Sequence, residues 1–177
     1  MPVRRLARIS LMVTATAALS FVRIPLPFSP VPITGQTLGT MLAGLLLGAA
    51  DGGLSQLVYV LLGVAGLPLF GGMAGPGVLM GPTGGYLVGM IAGAWITGRI
   101  AGSTTRSARM AGACVLGGVL AVYVPGILWL AAVTGLDLAA AATVGALPYL
   151  PGDAIKVVAA LLIAGRLAFL RSPQRGR

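Results

Sequence analysis

Asp153 and Lys156 are the residues whose types and spacing most directly admit chemistry. They stand three positions apart in Pro148-Tyr149-Leu150-Pro151-Gly152-Asp153-Ala154-Ile155-Lys156, at the head of an apolar run that continues to Leu170. On a helix, positions i and i+3 share a face. Pro151 and Gly152 break whatever precedes them, which puts Asp153 at or near an N-cap, where its oxygens can accept from free backbone N–H groups. Lys156 needs a different account. A cation in the first turn faces the unfavourable end of the helix dipole, and it lies about 4.5 Å of rise inside the run. Charges inside apolar spans carry partners. Two readings follow: an internal ion pair that neutralises itself, or a ligand pocket in which Lys156 pairs with or donates to the ligand and Asp153 accepts from ligand N–H groups.

The rest of the inventory argues against catalysis. There is no histidine, and the three acids are Asp51, Asp137 and Asp153. His-based triads, His-rich metal sites and glycosidase carboxylate pairs are therefore excluded, and no metal or cofactor is implied. An intramembrane aspartyl protease would need two aspartates that meet, whereas Asp51 and Asp153 are expected at opposite faces of the membrane. No G-x-x-x-x-G-K-[ST] phosphate loop is present, so energy must come from a partner or a gradient. The single cysteine, Cys114, lies in an apolar segment as a small packing residue and excludes a disulfide framework. The formal charge of +9 sits in short basic clusters between apolar runs, not on one soluble face, which argues against nucleic acid.

The elements that must position the Asp–Lys pair are membrane helices. With 57% hydrophobic and 8% charged residues and a mean hydropathy of +0.99, the chain belongs in a lipid bilayer. Its 28 glycines and 12 prolines suit polytopic helices that approach closely. The expectation is an all-α membrane protein, one integral membrane domain over 1–177, with six spans near 6–22, 34–50, 54–68, 83–99, 110–133 and 153–170. The basic start before the first run also fits a secretory signal peptide with Ala15-x-Ala17 as its cleavage site. A proline-rich loop over Arg23 to Pro32 follows, which cannot be helix interior. Asp51-Gly52-Gly53 makes a tight helical hairpin of the next two runs, with Asp51 as a cap. Pro125 predicts a kink in the fifth run. With six spans, Arg4, Arg5, Arg8, Arg99, Arg106, Arg109, Arg166, Arg171, Arg175 and Arg177 fall on or near one side, and Arg23 falls on the other. By the positive-inside rule both termini are cytoplasmic.

That topology brings three stretches together at the outer face. Thr34, Gln36 and Thr37 open the second span; Gln36 is a neutral donor and acceptor, and Thr34 is equally readable as a helix cap. Gly66 to Tyr86 contributes Gly71, Gly72, Gly75 and Gly77 as a mobile lid or an ordinary outer turn. It then supplies Gly84 and Gly85, whose backbone can approach a ligand, and Tyr86, an aromatic wall or an interfacial anchor. Asp153 and Lys156 complete the set. Few polar groups on an otherwise apolar surface suit a small ligand with a polar ring or carboxylate.

Six motifs then carry a family resemblance. They are Phe21-x-Arg23-Ile24-Pro25-Leu26-Pro27, Val31-Pro32-Ile33-Thr34-x-Gln36-Thr37, Leu42-Ala43-Gly44-Leu45-Leu46-Leu47-Gly48, Gly66-Leu67-Pro68-x-Phe70-x-Gly72, Gly81-Pro82-Thr83-Gly84-Gly85-Tyr86-Leu87-x-Gly89 and Pro151-Gly152-Asp153-x-x-Lys156. In that order, over nearly the whole chain, they resemble the BioY family, the biotin-specific substrate-binding (S) components of energy-coupling-factor (ECF) transporters. The resemblance implies a six-helix bundle in a bacterial or archaeal cell membrane that captures biotin from outside, with Asp153 and Lys156 matching the family's biotin-binding pair. It implies a transmembrane coupling protein and two cytoplasmic ATPases as partners, with ATP hydrolysis toppling the binding component to release substrate inside. First helices of the family carry an Ala-x-x-x-Ala contact face; Ser10 and Thr14 stand at the matching positions here and keep the small size such packing requires. The alternatives are an S component for another small vitamin and a solitary biotin transporter that works as a homo-oligomer without ATPases.

Overall fold

The computed structural model describes residues 3–104 and 106–167, and within them the protein is mostly helical. The end of the last expected span, 168–170, and Arg171, Arg175 and Arg177 lie outside the described residues. The order is α1 (Val3–Ser20), β1 (Arg23–Leu26), β2 (Ser29–Thr34), α2 (Gln36–Val64), α3 (Pro76–Met80) and α4 (Gly84–Ala101). There follow α5 (Ser107–Ala113), a π-helical turn (Cys114–Leu120), α6 (Ala121–Thr134), α7 (Leu138–Gly145), a 3₁₀ turn (Leu147–Tyr149) and α8 (Leu150–Arg166). Among the described residues three stretches are long and apolar enough to cross a membrane: Gln36–Val64, Ser107–Thr134 and Leu138–Arg166.

α2 is two antiparallel arms, 36–47 and 49–64, folded at Gly48, whose φ of 81° and ψ of −177° are not helical. The fold-back is visible in Gln36 and Tyr59, which would lie about 35 Å apart on a straight helix but hydrogen-bond at 2.8 Å. The expected helical hairpin is present, but its turn is at Gly48, ahead of Asp51-Gly52-Gly53. The reason is packing. Gly98 of α4 approaches the Gly48–Ala49 backbone too closely for any side chain, and a Cβ on Gly52 would lie 2.8 Å from the Ala43 carbonyl oxygen of the facing arm. The double glycine therefore serves close contact, while Gly48 alone supplies the backbone conformation that reverses the chain. Asp51 falls in the first turn of the second arm and accepts from Arg5 of α1 at 2.6 Å from Nη2 and 2.8 Å from Nε.

The proline-rich stretch is a β-hairpin, a correction to the loop expected from its four prolines. Strands β1 and β2 pair antiparallel with Arg23 opposite Thr34 and Ile24 opposite Ile33, joined by a turn at Pro27-Phe28. Proline is excluded from central strands because it cannot donate to the ladder; in a two-stranded ribbon both strands are edges, so prolines can take positions whose N–H would face outward.

The fifth run extends unbroken from Ser107 to Thr134, and its departure from α geometry is the π turn Cys114–Leu120, ahead of Pro125. Gly117 and Gly118 in that turn lie against Thr97 and Met41 with no room for a side chain. Part of the expected long connection before the last span is helical, as α7, capped by Asp137, whose Oδ1 accepts from Ala140 N at 2.8 Å. α8 starts at Leu150, with Pro151 in its first turn, where a missing N–H costs nothing. Asp153 consequently sits inside the first turn, not at the cap.

α1, both arms of α2, α4 and α6 share the core, which also buries polar groups. Gln56 is fully buried and donates to Thr16 Oγ1 at 3.2 Å, tying the second arm of α2 to α1. Thr97 Oγ1 donates to the Ala113 carbonyl at 3.2 Å, joining α4 to the fifth run.

Candidate ligand-binding site

Five of the residues singled out from sequence, Lys156, Thr37, Gln36, Thr34 and Tyr86, line one cavity of about 520 Å³ counting its open mouth. α8 contributes Lys156, the start of α2 contributes Gln36 and Thr37, β2 contributes Thr34 and α4 contributes Tyr86. The convergence has a local cause at each element. Gly35 ends β2 and opens α2, and it sits against Leu19 of α1 where a Cβ would lie 2.6 Å from the carbonyl oxygen. This contact sets the first turn of α2 beside the end of α1.

The Asp153 carboxylate lies immediately behind the cavity wall, its side chain 2% exposed against 15% for Lys156. It is a hub. Oδ1 accepts from Lys156 Nζ at 3.0 Å and from Thr37 Oγ1 at 3.2 Å, while Oδ2 accepts from the Tyr123 hydroxyl. Lys156 Nζ also donates to Thr37 Oγ1 at 2.9 Å. The dipole argument that left Lys156 unexplained is answered in part: its partner is the carboxylate one turn earlier. Three of the hub's neighbours, Lys156, Thr37 and Tyr123, face the cavity and form its polar wall.

A second polar chain runs from the hairpin to the glycine-rich loop. Thr34 Oγ1 donates to Gln36 Oε1 at 2.8 Å, Gln36 Nε2 donates to the Tyr59 hydroxyl at 2.8 Å, and Tyr59 donates to the Leu69 carbonyl at 2.8 Å. Ser20 Oγ donates to the same carbonyl at 2.6 Å and accepts from Gly71 N at 2.9 Å. The loop is thus anchored to α1 and α2 at its start. Gly71, Gly72 and Gly75 have φ values of 62°, 89° and 89°, which only glycine adopts without strain, whereas Gly77 is helical in α3. Phe70 plugs back onto Gly63 and meets Tyr59 edge-on at 5.5 Å.

Gly84 and Gly85 are not on the cavity wall. Side chains there would collide with the Leu79 carbonyl and with Pro125 and Trp129, so both glycines are packed against α3 and α6. Tyr86 follows them into the cavity, donates to the Gly145 carbonyl at 2.9 Å and meets Tyr123 edge-on at 6.0 Å.

Sequence reasoning missed Tyr123 and Tyr149. Tyr123 is an isolated hydroxyl in an apolar run, with Pro125 two residues on as the only local signal. Tyr149 donates to the Val31 carbonyl and lies 2.7 Å from Ser29 Oγ, so it ties the β-hairpin to the start of α8 across the cavity mouth. Arrayed around a mostly apolar interior, a balanced ion pair, the six hydroxyls of Thr34, Thr37, Thr83, Tyr86, Tyr123 and Tyr149, and the Gln36 amide can recognise a small polar head group.

With that geometry in place, the comparisons decide the family. The model of the BioY family matches residues 1–172. The chain belongs to the BioY family. Among curated relatives it is 42% identical over 182 residues to the biotin transporter BioY of Rhodobacter capsulatus, covering 95% of each chain. It is 40% identical over 159 residues to that of Rhizobium etli, covering 85% of this chain and 84% of the other. Its fold matches the crystal structure of the S-component for biotin from an ECF-type ABC transporter with a TM-score of 0.87 and 30% identity, over 93% of this chain and 90% of that one. The BioY relationship makes this a mostly helical membrane protein of a transporter family, not an enzyme.

Proposed function

We propose that the protein captures biotin at the outer face of a bacterial or archaeal cell membrane and passes it inward as the substrate-binding component of an ECF transporter. One observation carries the ligand reading: the paired Lys156 and Asp153, with Thr37 and Tyr123, meet at the polar wall of a cavity whose surface is mostly apolar. Biotin combines a ureido ring, an apolar valeryl chain and a carboxylate, which suits few donors and acceptors on an apolar surface. The glycine-rich loop with Gly71, Gly72 and Gly75, and the β-hairpin opposite it, border the entrance.

In this reading the helical segments form one membrane domain of six spans, with α2 supplying two through its fold at Gly48, and with both termini cytoplasmic. Arg5, Arg99 and Arg109 then share the end of the bundle away from the cavity, in keeping with the positive-inside rule. Ser10 and Thr14 are exposed on α1, with Thr14 Oγ1 bonded to the Ser10 carbonyl at 3.0 Å, so two small residues one turn apart are offered to a transmembrane coupling protein that works with two ATPases.

Equilibrium binding of biotin to the detergent-solubilised protein, beside another vitamin and the Lys156→Ala variant, tests the substrate. Tight binding confined to biotin and weakened in the variant is expected; a folded sample that binds the other vitamin instead overturns the assignment. Uptake by cells lacking the coupling proteins separates an energised transporter from a solitary oligomeric one.

A further inference from the structure

Charge balance at the cavity leaves one ligand group without a partner. Lys156 is the sole cation on the wall of the main cavity, and it lies 3.0 Å from Asp153, so the pair is neutral as a unit. A ligand carrying a carboxylate would bring an uncompensated negative charge against a mostly apolar surface, and burying an unpaired charge is costly. The nearest further cation is on the hairpin.

Arg23 is paired across the β-ribbon with Thr34, and Thr34 lines the cavity. Directly opposed residues on adjacent strands hold their Cβ atoms about 5 Å apart. The Arg23 stem lies over the turn of the glycine-rich loop, where a Cβ on Gly71 would lie 3.6 Å from Arg23 Cδ. Arg23 then lines a smaller cleft with Phe70 and Met73, and that cleft shares Thr34, Gln36, Thr83 and Leu87 with the main cavity. The two spaces therefore adjoin across a common wall, with the balanced ion pair beside one and the Arg23 guanidinium beside the other. Among the described residues no hydrogen bond or ion pair engages the Arg23 side chain, so its fork of donors is available for a bidentate carboxylate.

The geometry points to Arg23 as the residue that binds the ligand's carboxylate, with the ligand's polar ring at Lys156, Asp153 and Tyr123 and its apolar chain passing Thr34 and Leu87. This rests on the biotin reading above and adds to it the orientation of the ligand and a second charged contact. It also separates two jobs that a single cation could not perform: Lys156 serves the buried hub, and Arg23 serves the ligand's charge.

The test compares biotin with biotinamide, which keeps the ring and chain but lacks the charge, on wild-type protein, Arg23→Gln and Arg23→Lys. Arg23 is exposed, so neither variant should disturb folding. Wild type should bind biotin more tightly than the amide. Arg23→Gln should lose about tenfold or more for biotin, with amide affinity unchanged, and Arg23→Lys should recover part of the loss. The biotin preference should weaken with added salt in wild type and be salt-independent in Arg23→Gln. If Arg23→Gln retains the wild-type preference, or if wild type binds acid and amide equally, the Arg23 assignment is overturned while the biotin reading stands. If wild type binds neither ligand, the biotin reading itself fails.

Discussion

The Lys156 ammonium donates to the Thr37 hydroxyl at 2.9 Å, joining α8 to the first arm of α2 beside the cavity. Both residues also engage Asp153, so the three form a closed triangle between two helices. Lys156→Ala removes the one charged donor on the main cavity wall and leaves Asp153 with Thr37 and Tyr123. Biotin affinity should fall by about 10- to 100-fold, read by isothermal titration. Asp153→Ala leaves the partly exposed Lys156 ammonium without its counter-ion and should cost stability as well as binding, read as a lower melting midpoint without ligand.

Tyr123 donates to the second carboxylate oxygen of Asp153 and stands on the cavity wall. Tyr123→Phe keeps the ring and its edge-on contact with Tyr86 but removes the donor. Biotin affinity should drop by about tenfold. In a double-mutant cycle the loss should be non-additive with Asp153→Asn, because both changes act on one hydrogen bond. Additive losses would mean that Tyr123 acts independently of the hub.

Arg5 and Asp51 pair at the opposite end of the bundle, about twelve helical residues from the cavity along α2. Asp51→Ala should lower the melting midpoint by about 2–4 °C and leave biotin affinity within about twofold of wild type. A large affinity loss in a variant of normal stability would place Asp51 in ligand handling after all.

The glycines of the outer loop should divide by backbone conformation. Gly72 has a φ of 89°, so Gly72→Ala is strained by roughly 1–2 kcal/mol even though nothing occupies the space around it. Gly77 is helical with equally open surroundings, so Gly77→Ala should be tolerated. Hydrogen exchange over 66–80 should speed up in the first variant and not in the second. Equal protection in both would remove the backbone argument for the loop.

Much of the architecture was legible because hydropathy, charge placement and helix breakers act locally. The runs separated by glycine, proline and acids became helices, and Thr34, Gln36, Thr37, Tyr86 and Lys156 do meet. What sequence could not supply were facts that live between segments. Gly48 carries the turn through its positive φ, and Gly98 of another helix packs on the backbone there, while the more obvious Asp51-Gly52-Gly53 is occupied with packing. Four prolines speak against helix, and the sequence alone makes them a loop because the edge-only character of a two-stranded ribbon appears only once its partner is known. Gly84 and Gly85 resemble a ligand-approach motif but meet α6 and α3. Tyr123 gains its meaning from Asp153, thirty residues away.

The buried amide of Gln56 has a consequence for the outside of the molecule. Its bond to Thr16 fixes the rotational register of α1 against the second arm of α2. Turning α1 by one residue would swing Thr16 away by about 100° and strand the amide in the core. Ser10 and Thr14 are on that same helix, so the azimuth at which they meet the lipid is set from within by Gln56. A partner helix that reads this small-residue stripe is therefore reading an angle set from the interior, where the Gln56–Thr16 bond acts together with the Arg5–Asp51 pair and the Ser20 bonds to Leu69 and Gly71.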